Sequence, residues 1–331
     1  MKTIKYLFAL IVVANIVFSC NAGIGADSIQ NPYTYSDLYY QNLRDYKASD
    51  HSISFGWFAY YGAQNSLAVR FMGLPDSLDV CSLWGGIPAK ENKDIWDEIR
   101  FVQKVKGTKM LCVAITRIEA ETDEKDFKKA YNEAKAMPEG DAKEAALNKS
   151  IEMYGNYFLD QIFENDLDGF DADYEPEGDF LSGEHFLYFM NYLAKYLGPN
   201  PNITKAERLK LIQERYGTDV TDTNKLLCVD GGAPNIAEIC NYFFDQAYDD
   251  DDPRPITNWP NEKVVYCCSM GRDWQSDMSI MYKHARYQPT VGRKGGFGAF
   301  IINRDYNVHE NNTEPYKRFR ECIQIQNPAI Y

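Results

Sequence analysis

The stretch Asp168-Gly169-Phe170-Asp171-Ala172-Asp173-Tyr174-Glu175 decides the reading of this 331-residue chain. It follows an apolar helical run containing Tyr157, Phe158, Ile162 and Phe163 and enters through Leu167. In a strand, side chains alternate between faces, so Asp171, Asp173 and Glu175 fall on one side and Phe170, Ala172 and Tyr174 on the other. Same-face neighbours are about 7 Å apart. Three carboxyls at that spacing cannot ionise independently, and at least one pKa is expected to rise. A carboxyl that keeps its proton near neutrality can serve as a general acid. A calcium loop also alternates acids, but counting from Asp171 its obligatory sixth-position glycine would be Pro176. A merely solvated acidic edge seldom alternates acids with Phe and Tyr on its opposite face.

The rest of the chain supplies a frame for that strand. Short apolar runs alternate with longer amphipathic segments, the pattern of a parallel α/β fold. The strand candidates are Ile53 to Tyr61, Val80 to Trp84, Met110 to Thr116, Leu167 to Glu175, Leu226 to Asp230, Tyr242 to Tyr248, Val264 to Met270 and Gly298 to Asn303. Eight strands with long returns predict a closed (β/α)8 barrel, a TIM barrel, and the length suits one such domain of about 250 residues with insertions. Residues 117–150, split by Pro138 and Gly140, and residues 199–225, with Glu207 to Tyr216 helical, are the two extended crossovers. No glycine-rich dinucleotide loop and no internal repeat is present.

In a barrel, functional groups come from the C-terminal strand ends. Those ends offer Trp57, Tyr60 and Tyr61, then Trp84, the carboxyl row, Gln246 and Tyr248, and finally Asn303, Arg304 and Asp305. Aromatics and amides of this kind suit a neutral, amide-bearing sugar. The run Asp249 to Asp252 reads as a solvated loop.

At the N-terminus, Lys2 and Lys5 precede an apolar run from Leu7 to Phe18 that is too short to span a membrane comfortably. Val17-Phe18-Ser19-Cys20 resembles a bacterial lipoprotein box. Residues 1–19 are then a lipoprotein signal peptide, 20–50 a polar linker and 51–331 the barrel domain, with Cys20 as the lipid attachment point; an ordinary secretory signal is the alternative, Phe18 being bulky for its place in the box. Export to the cell envelope, tethered at the outer membrane or cell surface, is the expectation. A formal net charge of −13, more negative still once Lys2 and Lys5 are removed, argues against nucleic-acid binding. Cys81, Cys112, Cys228, Cys267 and Cys268 lie in apolar runs and are expected to behave as buried hydrophobes. No CxxC pair occurs and the four histidines are scattered, so neither a metal nor a cofactor is expected.

The pattern Asp-Gly-x-Asp-x-Asp-x-Glu resembles the signature of family 18 glycoside hydrolases, which include chitinases and bacterial endo-β-N-acetylglucosaminidases, and it matches at every defined position. The resemblance implies a barrel with this segment as its fourth strand, and hydrolysis assisted by the substrate's own 2-acetamido group, outside the two-carboxylate scheme. By the same resemblance Glu175 is the acid and base, Asp173 holds the acetamido N–H, Asp171 shares a proton with Asp173, and Tyr248 of a Gln-x-Tyr arrangement holds the acetamido oxygen. Gln246, Trp57, Tyr60, Tyr61, Trp84, Phe300 and Asn303 are the expected substrate contacts. Two features depart from chitinases. Cys112-Val113-Ala114-Ile115-Thr116 replaces a Ser-x-Gly-Gly motif, and Phe300 stands where a tryptophan floors the sugar site. The smaller floor favours an endo-β-N-acetylglucosaminidase acting on the N-glycan core, with a chitinase and a non-catalytic glycan-binding lipoprotein as the alternatives; a monomer is expected.

Overall fold

A computed structural model describes residues 30–62, 66–175 and 181–329. The lipoprotein box and Cys20 lie outside the described residues. Eight parallel strands close into a barrel in sequence order: β1 Ile53–Phe58, β2 Val80–Leu83, β3 Lys109–Ile115, β4 Gly169–Tyr174, β5 Leu226–Gly231, β6 Tyr242–Asp245, β7 Val264–Ser269 and β8 Gly296–Phe300. β8 returns to β1, with Phe55 opposite Gly298. The fold is a (β/α)8 TIM barrel, and every strand expected from sequence is present within a few residues of its expected bounds.

Around the barrel, in chain order, run α1 Asp37–Ala48, α2 Lys93–Phe101, α3 Asp126–Lys135, α4 Asp141–Glu164, α5 Gly183–Leu193, α6 Lys205–Tyr216, α7 Ser279–Arg286 and α8 Lys317–Gln326. The insertion at 117–150 forms α3 and the start of α4, separated as expected around Pro138 and Gly140. α6 begins with a reciprocal cap in which Thr204 and Glu207 satisfy each other's backbone N–H groups. Within the stretch read as a linker, α1 forms a docked helix. Its Lys47 Nζ donates to the Leu78 carbonyl and Thr108, and Arg44 donates to the Val105 carbonyl. Those two basic side chains dock α1 on the segments that precede β2 and β3, a partnership no local pattern in residues 21–50 announces.

The alternation deduced for β4 splits two cores. Phe170 and Ala172 face outward into the layer between strands and helices, which also holds Phe158, Phe189 and Met190. Inside the barrel, Phe55 stacks on Phe244 with ring centroids 3.6 Å apart, among Val80, Leu111, Cys228, Val265 and Cys267. All seven cysteines from Cys81 to Cys322 are free thiols and buried, Cys240 and Cys322 included. After β8, Asp305 turns inward, where its carboxylate pairs with the buried Arg318 at 2.8 Å and accepts from the Phe319 N–H. It anchors α8 to the barrel and takes no part in the mouth. Asp249 and Asp251, in the run read as a solvated loop, make exposed pairs with Arg272 and Lys283.

Candidate active site

Each defined residue of the 168–175 motif has its own place. Asp168 sits at the barrel base, where Oδ2 accepts from the Met110 N–H at 2.9 Å and Gln103 at 2.7 Å, fixing the register of β4 on β3. Gly169 lies so close to β5 that a Cβ there would stand 2.2 Å from the Leu226 carbonyl oxygen. Asp171 and Asp173 then point into the interior, fully and almost fully buried, while Glu175 emerges at the exposed mouth. Tyr174, on the outward face, stacks on Phe186 with centroids 3.9 Å apart. Past β3, Thr116 clamps the Asp173 carbonyl with its N–H and its hydroxyl.

Asp171 is the deepest of the carboxyls. Trp57 and Ser82 are cross-strand partners on β1 and β2, and both donate to its Oδ2, at 3.0 Å and 2.6 Å. Burial raises the Asp171 pKa to about 7; the Ser82 hydrogen bond opposes this and the charge of Asp173 adds to it. Burial, and then the charge of Glu175, raise Asp173 to about 6. The elevation expected from spacing alone is therefore present, with loss of water as its main cause and charge repulsion second.

The cleft above these acids has a volume of about 260 Å³ and is lined by Trp84, Ile115, Arg117, Asp173, Glu175, Gln246, Tyr248 and Phe300. Trp84, Gln246, Tyr248 and Phe300 are thus brought together with Asp173 and Glu175. Trp84 meets Phe300 edge to face at 5.2 Å, giving the cleft an apolar wall on one side and carboxyls on the other. Gln246 and Tyr248 lie beyond the end of β6, which stops at Asp245. Tight turns, in which Ala247 N–H donates to Asp245 and Tyr248 N–H to Gln246, aim both side chains inward. Burial pushes the Tyr248 hydroxyl far above its ordinary pKa, so it remains a donor.

Other expected contacts lie elsewhere. Trp57 is wholly buried and supports Asp171 from below, so it cannot stack on a sugar. Tyr61 packs between Phe58 and Phe71, tight enough against Gly85 that a Cβ there would fall 2.8 Å from its ring. Tyr60 and Asn303 line a second cavity of about 270 Å³ with Arg304 and Asn307, which shares no lining residue with the acid-bearing cleft.

Ser82, Ile115, Arg117 and Asp230 belong to the site without any sign of it in the local sequence, and Asp230 is the most deeply involved in the carboxyl cluster. Asp230, the last side chain of β5 before Gly231, is fully buried and directly opposite Asp173 in the strand pairing. Gln246 donates to its Oδ1 at 2.6 Å, so this glutamine holds a carboxylate as well as facing the cleft. A single Asp closing an apolar run has no local partner in sequence; only the pairing of β4 with β5 places it among the acids.

Comparison with known proteins agrees with this geometry. A family model described as glycoside hydrolase family 18, BT1044-like, matches residues 22–253. Endo-β-N-acetylglucosaminidase F2 of Elizabethkingia meningoseptica is 25% identical over 376 aligned positions, spanning 99% of this chain and 100% of that protein. A solved structure of BT1044 superposes with TM-score 0.67 at 21% identity, covering 88% of this chain and 93% of the other. The endo-β-N-acetylglucosaminidase from Cordyceps militaris in its apo form superposes with TM-score 0.58 at 19% identity, covering 91% and 99% of the two chains. At such identities the two structural likenesses concern the fold. With the family model spanning more than half of the sequence and an unbroken carboxyl row at the mouth of the barrel, this chain belongs to glycoside hydrolase family 18.

Proposed function

We propose that the protein is an endo-β-N-acetylglucosaminidase that cleaves the GlcNAc-β-1,4-GlcNAc bond in the core of N-glycans with retention of configuration. The observation that carries the reading is the ordering of three acids by depth on one strand, with Glu175 exposed at the mouth and Asp173 buried one step below in the same cleft. Glu175 protonates the departing glycosidic oxygen. The carbonyl oxygen of the substrate's 2-acetamido group attacks the anomeric carbon, and an oxazolinium-like ring forms. Asp173, as an anion, accepts the acetamido N–H and balances the developing positive charge, while Tyr248 donates to the acetamido oxygen and orients it. Glu175, now a carboxylate, takes a proton from water as that water reopens the ring. Asp171, held by Trp57 and Ser82, sets the charge of Asp173 from below.

The full-length relationship to endo-β-N-acetylglucosaminidase F2 and the phenylalanine at position 300 support this specificity over that of a chitinase. Incubation with a panel of N-glycoproteins and with chitin oligomers tests it. Release of glycans that leave one GlcNAc on asparagine is the expected result. Cleavage of chitin oligomers alone would make the protein a chitinase, and binding without cleavage of either would make it a glycan-binding protein.

Two expectations for the reaction follow. Tyr248→Phe removes one donor to a developing charge and should lower kcat/KM by about 2 kcal/mol, or about thirtyfold, while weakening a thiazoline analogue of the intermediate in parallel. An unchanged thiazoline affinity would remove Tyr248 from that role. Because Asp173 must be ionised and its pKa is raised to about 6, kcat/KM should fall as pH drops through that value. A profile flat well into the acidic range would show that no buried carboxylate is needed.

We further propose that the mature chain begins at Cys20 and is lipid-anchored in the bacterial envelope, acting as a monomer. Cys20→Ser should move the protein from the membrane to the soluble fraction on fractionation; retention in the membrane would refute the anchor.

A further inference from the structure

Three carboxyls meet inside the barrel mouth, and each keeps one buried oxygen with no hydrogen-bond partner among the described residues: Asp171 Oδ1, Asp173 Oδ1 and Asp230 Oδ2. Their other oxygens are treated unequally. Asp171 Oδ2 takes two donors, from Trp57 and Ser82, and Asp230 Oδ1 takes one, from Gln246. Three carboxyls buried together on adjacent strands are stable only if a proton is held among them. Asp230 is placed to hold it. Its carboxyl lies within hydrogen-bonding reach of both Asp171 and Asp173. Its backbone is fixed as well: Gly231 adopts φ +82° where a Cβ would stand 2.4 Å from the Tyr174 carbonyl oxygen, and the Gly232 N–H donates to that same oxygen.

From this geometry we infer that Asp230 is a positioning residue: it keeps a proton on Oδ2 and donates it across the β4–β5 pair to Asp173, so that Asp173 meets the acetamido group as an oriented anion. The role rests on the function proposed above, but the location of the proton does not. The groups bearing on Asp230 fit it. Burial, and then the charges of Asp171 and Asp173, raise its pKa well above the ordinary carboxylate range, whereas Gln246 acts in the opposite direction. The raised thiols of Cys228 and Cys267, on β5 and β7, remain neutral beside it, as does Tyr248. Glu175 bears on Asp173 from the solvent side. Gln246 thereby has a definite task, fixing which oxygen of Asp230 carries the proton.

Infrared spectroscopy of the substrate-free, full-length protein tests where the proton sits. At about pH 8, above the ranges to which Asp171 and Asp173 are raised, the wild type should show the C=O stretch of a protonated carboxyl, and Asp230→Asn should lose it. Persistence of the band in Asp230→Asn would overturn the inference, whatever the protein's substrate. Kinetics test the consequence. Asp230→Ala, lacking the donor, should lower kcat/KM about tenfold or more and move the acidic limb of the pH profile up by about one unit. Asp230→Asn keeps shape and an N–H donor and should restore the limb to its wild-type position. Identical limbs for the Ala and Asn variants would show that Asp230 only fills space. Should the Ala variant fail to fold, the Asn variant and its spectrum decide the matter alone.

Discussion

Glu175→Gln should leave glycan affinity and thermal stability close to wild type while lowering turnover by about three orders of magnitude, within the usual range for removing a general acid. The amide has the shape of the carboxyl but cannot give a proton to the leaving oxygen or later take one from water. Glu175 lies beyond the last residue of β4 and is exposed, so the substitution disturbs no packing. Calorimetric titration with an uncleaved glycan, beside single-turnover kinetics, separates the two effects. A turnover within tenfold of wild type would show that another group protonates the leaving oxygen. A second signature accompanies the loss. Because the charge of Glu175 helps to raise Asp173, the residual activity should persist to lower pH than in the wild type.

Asp173→Asn should lower kcat by about two to three orders of magnitude, since it withdraws a preorganised charge from beside a cationic intermediate. Affinity for a thiazoline analogue should fall by a comparable factor, because that ligand resembles the intermediate more than the substrate. Any product still formed should keep its anomeric configuration, which proton NMR of the fresh product reports. Inverted product, or wild-type activity on a substrate bearing a 2-hydroxyl in place of the acetamido group, would point to a water or enzyme nucleophile and remove the role given to Asp173.

How far the sequence could be read depended on whether the informative neighbours lay along the chain or across it. The β4 motif needed only strand alternation, and the structure puts Asp171 and Asp173 on the inner face and Phe170 and Ala172 on the outer one as expected. The eight strands were legible because each is a short apolar run bounded by polar turns. Depth within the barrel was not. Trp57 and Trp84 read alike as aromatic strand ends, yet Trp57 falls below the carboxyls as a hydrogen-bond donor and Trp84 lines the cleft. Tyr61 belongs to packing because Phe71, in a segment of no marked pattern, comes to meet it. α1 was hidden because its docking depends on carbonyls of residues 78 and 105, far along the chain.

The unpartnered oxygens at the barrel mouth also bear on how this protein can evolve or be engineered. A carboxyl whose pKa is higher in the folded than in the unfolded chain favours folding only below its unfolded value, and that contribution disappears as pH rises through the folded one. For Asp171 and Asp173 the loss is complete once pH has passed about 7 and about 6, so near neutrality both work against the fold they serve. Isosteric neutral side chains at these positions relieve that opposition. Selection for heat resistance alone would therefore favour barrels in which these acids are replaced, and on the roles proposed for them a thermostable relative lacking either would be a retired catalyst rather than an improved one.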